Sequence, residues 1–198
     1  MRVAVAVSGR GSNLEALFTR LGGGDEALIV LVLSDRAEAP ALNLARDRGV
    51  AALALRDWRS ADEWLAALDA HPVDLLVLAG FLKLVPPEVI ARYRGRIINV
   101  HPALLPAFGG KGMYGTRVHE AVLQSGAAES GCTVHLVEEE YDRGMILAQA
   151  RVPVLPGDSA QALAARVLEQ EHKLLPAVVL AAARAGLPVA IEPSPVSR

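Results

Sequence analysis

Asn99 and His101 stand one residue apart in the stretch Ile97-Ile98-Asn99-Val100-His101-Pro102. An imidazole exchanges a proton near neutral pH, and a carboxamide donates a hydrogen bond to a developing negative charge. In a strand, side chains at i and i+2 point to one face, so this pair would look into a single space at a strand's carboxyl end. Open parallel sheets bind their ligands there. The competing reading of His101 is a capping or satisfied core histidine. A working imidazole also wants an orienting or charged partner. The carboxylates of Glu138-Glu139-Glu140-Tyr141-Asp142-Arg143-Gly144 are candidates. Glu138 to Glu140 read as a solvated run, while Asp142 sits in a tight connection able to aim it at the sheet. Spacing alone does not choose among the four.

A second constellation follows the first apolar run. Val7-Ser8-Gly9-Arg10-Gly11-Ser12-Asn13 places two glycines and two small hydrogen-bonding side chains before a helical pattern. Glycines let backbone approach a ligand, and free amides at a helix start favour an anion. A dinucleotide fingerprint would need a third glycine where Leu14 stands, and no Gly-Lys-Ser/Thr follows. Gly9, Gly11, Ser12 and Asn13 therefore suit a lone phosphate monoester, the alternative being an ordinary tight strand-to-helix turn. Of the other histidines, His71 precedes Pro72 and reads as solvent-facing, and His119 lies on a helix as surface or pocket wall. His135 shares a strand face with Thr133 and points either to the site or to a half-buried position. His172 follows Glu171 in a helix. No histidine has metal-ligand spacing with a carboxylate or cysteine, so no metal site is expected.

The elements that position these residues alternate between β-branched runs and Ala/Leu/charge-rich helical stretches. That alternation predicts an α/β fold, a parallel sheet with helices on its faces. Strands are expected over 2–7, 27–35, 51–55, 73–80, 96–101, 132–137 and 146–155, with a hairpin-like or looser connection over 138–145. Helices are expected over 13–21, 39–49, 60–70 with Ser60 as cap, 86–95 with Pro at its first turn, and 158–185. The last opens with Asp158 and Gln161 in capping-box spacing and is expected to kink or divide at Pro176. The tail Pro193 to Arg198 reads as frayed.

Composition sets the limits. The 198 residues fit one domain, 52% of them are hydrophobic, and only 4% are aromatic, so the core must be Val, Leu, Ile and Ala. A formal charge of −2 argues for neither nucleic acid nor an anionic membrane as partner. The single Cys132 excludes an internal disulfide and fits a reducing compartment. The apolar start is too short for a signal peptide and no stretch reads as a membrane span. The expectation is a soluble cytoplasmic domain, monomer or homodimer, acting on small molecules.

Together the motifs resemble the phosphoribosylglycinamide formyltransferases, folate-dependent enzymes of purine synthesis. The matching stretches are Ser8–Leu14, Leu78–Val85, Ile98–Phe108, Gly131–Val137, Ile146–Asp158 and Glu171–Pro176, in the family's order and over nearly the whole chain. The resemblance implies an open, mostly parallel, Rossmann-like twisted sheet with helices on both faces. It implies a single domain over 1–198, with a phosphate-binding half to about residue 97 and a catalytic and folate half beyond. Gly11, Ser12, Asn13 and Glu171 would bind glycinamide ribonucleotide. Leu82, Lys83, Leu84 and Val85, with Asn99, Glu138, Glu139, Glu140 and Tyr141, would bind 10-formyltetrahydrofolate, the co-substrate. Asn99, His101 and Asp142 would be catalytic, with Asp142 raising the pKa of a protonated His101, and no metal is implied.

Three departures from the family pattern stand out. Ala61 occupies a position where some relatives carry a basic folate contact; either Arg56 or Arg59 substitutes for it, or the contact is missing. Arg143 follows Asp142 where small residues are common, and would border the folate tail. The Gly109–Gly115 loop is longer than in some members. Two other folate enzymes share part of the pattern, methionyl-tRNA formyltransferase and formyltetrahydrofolate hydrolase. They would be expected to add a C-terminal or an N-terminal domain respectively. A non-catalytic phosphosugar-binding module would keep the glycine loop but has no need of Asn99, His101 and Asp142 together.

Overall fold

The computed structural model describes residues 1–22 and 25–192, so the expected frayed tail over 193–198 lies outside the described residues. Seven strands of the described residues form one sheet: β1 (Arg2–Val7), β2 (Leu28–Ser34), β3 (Ala51–Ala54), β4 (Leu75–Leu78), β5 (Ile97–His101), β6 (Glu129–Leu136) and β7 (Ile146–Pro153). Their order is β3-β2-β1-β4-β5-β6-β7. The first five are parallel, while β6 runs antiparallel to both β5 and β7. Among the described residues, six helices accompany them: α1 (Ser12–Leu21), α2 (Pro40–Asp47), α3 (Ala61–Ala70), α4 (Pro87–Arg92), α5 (Thr116–Gln124) and α6 (Ala160–Ala185).

The period of two in β1 explains how both faces are covered. Val3, Val5 and Val7 pack with Leu14 and Leu17 of α1, Leu42 of α2, and Leu163, Val167 and Leu175 of α6. Ala4 and Ala6 turn to the other face, where Trp64 and Leu68 of α3 and Val89 and Ile90 of α4 close a second core. Strand order reverses at β1, between β2 and β4, so the loops after β1 and β4 diverge to opposite faces and leave a crevice at their carboxyl ends. The expected site therefore lies at the sheet's topological switch point.

The expected cap of the long helix changes, and of the kink or division expected at Pro176 the division does not occur. Ser159, not Asp158, caps α6: its side chain accepts the Ala162 N–H at 3.1 Å. Asp158 instead accepts the Leu155 N–H at 2.8 Å and Arg166 at 2.7 and 2.9 Å, so the capping box with Gln161 does not form. Helix α6 also runs undivided through Pro176. An interior proline costs about 3 kcal/mol. Burial of Leu163, Val167, Leu175, Val178 and Val179 offsets it, at about 1.5–3 kcal/mol for each large apolar side chain. Helix α3 keeps its expected cap, with Ser60 accepting the Glu63 N–H at 3.3 Å.

Candidate active site

A cleft of about 510 Å³ opens over the carboxyl ends of the central strands, and Asn99 and His101 of β5 both line it. The third member of the group is Asp142, chosen by the fold from among its acidic neighbours. Its Oδ2 accepts the Gly110 N–H at 2.8 Å and lies 3.6 Å from His101 Nδ1, while its Oδ1 lies 3.5 Å from His135 Nε2. One carboxylate thus faces two imidazoles. His101 is 3% exposed and donates from Nε2 to the Phe108 carbonyl at 2.8 Å. That bond leaves the Nδ1 lone pair facing Asp142.

His135 completes the arrangement. Strand pairing sets it directly opposite Asn99. Its Nδ1–H donates to the Leu136 carbonyl at 2.7 Å, so Nε2 accepts from Asn99 Nδ2 at 3.1 Å. An amide nitrogen carries two hydrogens, and the second on Asn99 is left for a ligand. Phe108 and Asp142 both hold left-handed backbone, φ 56° and 55°. Non-glycine residues adopt this region rarely, and it recurs at functional sites.

Electrostatics qualify one expectation. Burial pushes the His101 imidazole below its ordinary value, although Asp142 and the Phe108 carbonyl pull it upward. Asp142 therefore acts in the expected direction, but His101 as a whole is biased to the neutral form. For Asp142, burial works to raise the carboxyl; His135, His101 and the Gly110 N–H outweigh it and hold the group below the usual carboxylate range.

The glycine loop sits at the same end of the sheet. Gly11 has φ 84°, and a Cβ there would lie 2.7 Å from the Ala41 Cβ, so its conformation and its packing against α2 both require glycine. Gly9 would meet nothing within 4 Å. No side chain caps α1, which leaves its first-turn amides free of a side-chain partner. Ser8 ties this loop to the one after β4, accepting the Leu82 N–H at 3.0 Å and donating its own N–H to Gly80 at 3.1 Å. Asn13 lines the cleft and donates from Nδ2 to Glu171 Oε2 at 2.7 Å; its Oδ1 is buried without a partner. Burial pushes the Glu171 carboxyl up against the pull of that hydrogen bond. Gly11 and Ser12 lie outside the cleft wall, at the helix start beside Asn13.

Leu82, Lys83, Leu84 and Val85 line one side of the cleft, and Glu138, Glu140 and Tyr141 another. Glu139 is not part of the wall; it is exposed, 3.8 Å from Arg94. Of the two arginines near Ala61, Arg56 is held by Glu63 at 3.0 Å. Arg59 lies over the Trp58 ring at 4.4 Å, and Lys83 approaches the same ring at 5.5 Å. Arg143 is exposed and outside the wall. Among the described residues, no group of three or more His, Cys, Asp or Glu side chains is placed to hold a metal ion.

The formyl transferase family model matches residues 1–179. The chain belongs to this family. A phosphoribosylglycinamide formyltransferase of Escherichia coli is 37% identical over 186 residues, 90% of this chain and 85% of that protein. A chloroplastic protein of the same name from Arabidopsis thaliana is 44% identical over 186 residues. The chain covers 64% of that plant protein and 59% of its counterpart in Vigna unguiculata, so it spans about three fifths of these relatives. Among solved structures, the phosphoribosylglycinamide formyltransferase of Brucella melitensis superposes with a TM-score of 0.83 at 44% identity, covering 96% of this chain and 98% of that one. The enzyme of the same name from Anaplasma phagocytophilum gives 0.86 at 38% identity, covering 93% and 87%.

Part of the cleft wall is not legible in the sequence motifs. The stretch Gly110–Gly115, in a loop whose residues carry no assigned role in the sequence motifs, borders the cleft together with Arg117. Its run of glycines was the available signal. His135 was legible only as one of two orientations, and strand register resolves it toward Asn99 and Asp142. His119 is buried on α5 and lies outside the wall. His71 is half-buried, bonded through Nδ1 to the Ala67 carbonyl, and not solvent-facing.

Proposed function

We propose that this chain transfers the formyl group of 10-formyltetrahydrofolate to the amine of glycinamide ribonucleotide, a step of purine biosynthesis. The observation that carries the reading is the Asp142 carboxylate facing His101 and His135 while Asn99 keeps one amide hydrogen for the cleft. Addition of the amine to the formyl carbon puts negative charge on the carbonyl oxygen. The free Asn99 N–H stabilises that charge, and removing such a donor costs about 10²–10³ in rate. His101, biased to the neutral form, takes the amine's proton at Nδ1, where Asp142 favours the resulting imidazolium. It then returns the proton to the departing folate nitrogen. Charge and proton are handled by side chains alone, so the reading calls for no metal.

Binding follows the geometry. Ser12, Asn13 and the Gly11 turn hold the phosphate at the start of α1, and Glu171 meets the ribonucleotide at the cleft floor. Leu82 to Val85 and Glu138 to Tyr141 enclose the pterin, with Glu139 at the rim. Arg59, over the Trp58 ring with Asp57 3.8 Å away, takes over the basic contact absent at Ala61, beside Lys83. One domain serves, with phosphate held by the half to about residue 97 and catalysis by the half beyond. The chain acts as a monomer or a homodimer. Its single cysteine, the free and buried Cys132, suits the reducing cytoplasm.

Incubating the protein with both substrates and following deformylated folate by absorbance tests the reading. Turnover that requires the ribonucleotide is expected. Deformylation without the ribonucleotide would assign a hydrolase, and binding without turnover a phosphosugar-binding module.

A further inference from the structure

Strand register sets His101 of β5, Thr133 of β6 and Gln149 of β7 in one row. The far end of the row is a saturated polar tether. Gln149 Nε2 donates to the Leu105 carbonyl at 2.8 Å and to Thr133 Oγ1 at 3.0 Å. Thr133 Oγ1 donates to the Ala103 carbonyl at 2.7 Å and accepts the Leu105 N–H at 3.0 Å. A hydroxyl has one hydrogen and two lone pairs, and a carboxamide nitrogen two hydrogens; all are used. The tethered turn is also seated sterically. A Cβ on Gly131 would come within 2.8 Å of Leu104 Cδ2 and would clash with the Ala150 carbonyl. The same segment leads directly to Phe108, whose carbonyl receives the His101 Nε2–H.

We infer that Gln149 is a positioning residue: through Thr133 and Leu105 it fixes the turn that carries the Phe108 carbonyl, and so the tautomer and ring angle of His101. Gln149 does not line the cleft. The inference rests on His101 being the proton carrier. Small misplacements of catalytic groups cost up to about 10²-fold in rate. A loosened Phe108 bond also withdraws one of the two contacts that favour protonated His101.

The test compares Gln149→Leu, which removes the amide, with Gln149→Glu, which keeps the shape but cannot donate. Steady-state kinetics and histidine NMR titration are run on both variants. The expected result is a kcat lower by about tenfold or more, with both KM values within about twofold. The His101 titration midpoint moves to lower pH. The NMR readout needs no substrate, so it survives a failure of the proposed reaction, which inactive wild-type protein would reveal. An unchanged midpoint overturns the inference, as does a raised KM with kcat intact. Loss of the folded circular-dichroism signal in both variants would make Gln149 merely structural and overturn it too.

Discussion

Replacing Asp142 by Asn isolates the charge that the site places beside His101. Asparagine preserves size and accepts left-handed backbone more readily than most residues, so the φ of 55° is kept. Alanine would add backbone strain of about 1–2 kcal/mol to the loss of charge. With Oδ2 3.6 Å from His101 Nδ1 and an effective dielectric constant near 20, the carboxylate–imidazolium attraction is about 5 kcal/mol before burial is counted. Burial works against the charged ring and is the largest influence on it. If about half of the attraction survives in the barrier, kcat falls about 10²-fold, or about 2.7 kcal/mol. KM for the ribonucleotide should move less than about threefold, since the charge acts on the developing imidazolium. The absorbance assay under saturating substrates reads both. A kcat within threefold of wild type would refute the placement of Asp142 in the proton path.

Other outcomes follow from the same geometry. Ser12→Ala and Asn13→Ala should raise KM for the ribonucleotide about 5–10-fold and leave the folate KM unchanged, because they meet a non-reacting phosphate. Glu171→Gln should gain thermal stability over wild type as pH rises. The folded carboxyl of Glu171 titrates above its ordinary value, so wild-type stability is lost between the two values and the amide escapes that loss. Calorimetry across pH 4 to 8 reads the difference, and equal melting temperatures throughout would count against the buried assignment. Asp158, lowered to about 2 chiefly by its hydrogen bond to Arg166, contributes stability present above its unfolded value of about 3.9 and lost as pH falls toward 2. Asp158→Asn should therefore flatten the stability decline between about pH 4 and 2.

What could be read before folding divides along physical lines. The Asn99–His101 pair was legible because a strand's period is two, and all seven strands and six helices carry local signatures of length and flanking residues. Asp142 was not separable from Glu138 to Glu140 by spacing; a Gly110 N–H and two imidazoles from other strands single it out. Asp142 pulls the His101 imidazole upward as its type implies, whereas burial, the larger and opposing influence, is a property of the packed cleft and not of the neighbouring residue types. The cap of α6 moved from Asp158 to Ser159 for a similar reason: Arg166, two turns on, captures the carboxylate. Pro176 failed to divide its helix because flanking burial outweighs one lost hydrogen bond. His135 entered the site through register, which no single strand encodes.

The most direct test of formyl transfer at Asn99 and His101 is to supply formyl-13C folate with the ribonucleotide and count both products by NMR, for wild type and His101→Ala. Formylated ribonucleotide and deformylated folate should appear one for one in the wild type. His101→Ala should lose about 10²-fold or more in rate while still binding both substrates. Labelled formate in place of the formylated ribonucleotide, or an unimpaired His101→Ala, would contradict the account.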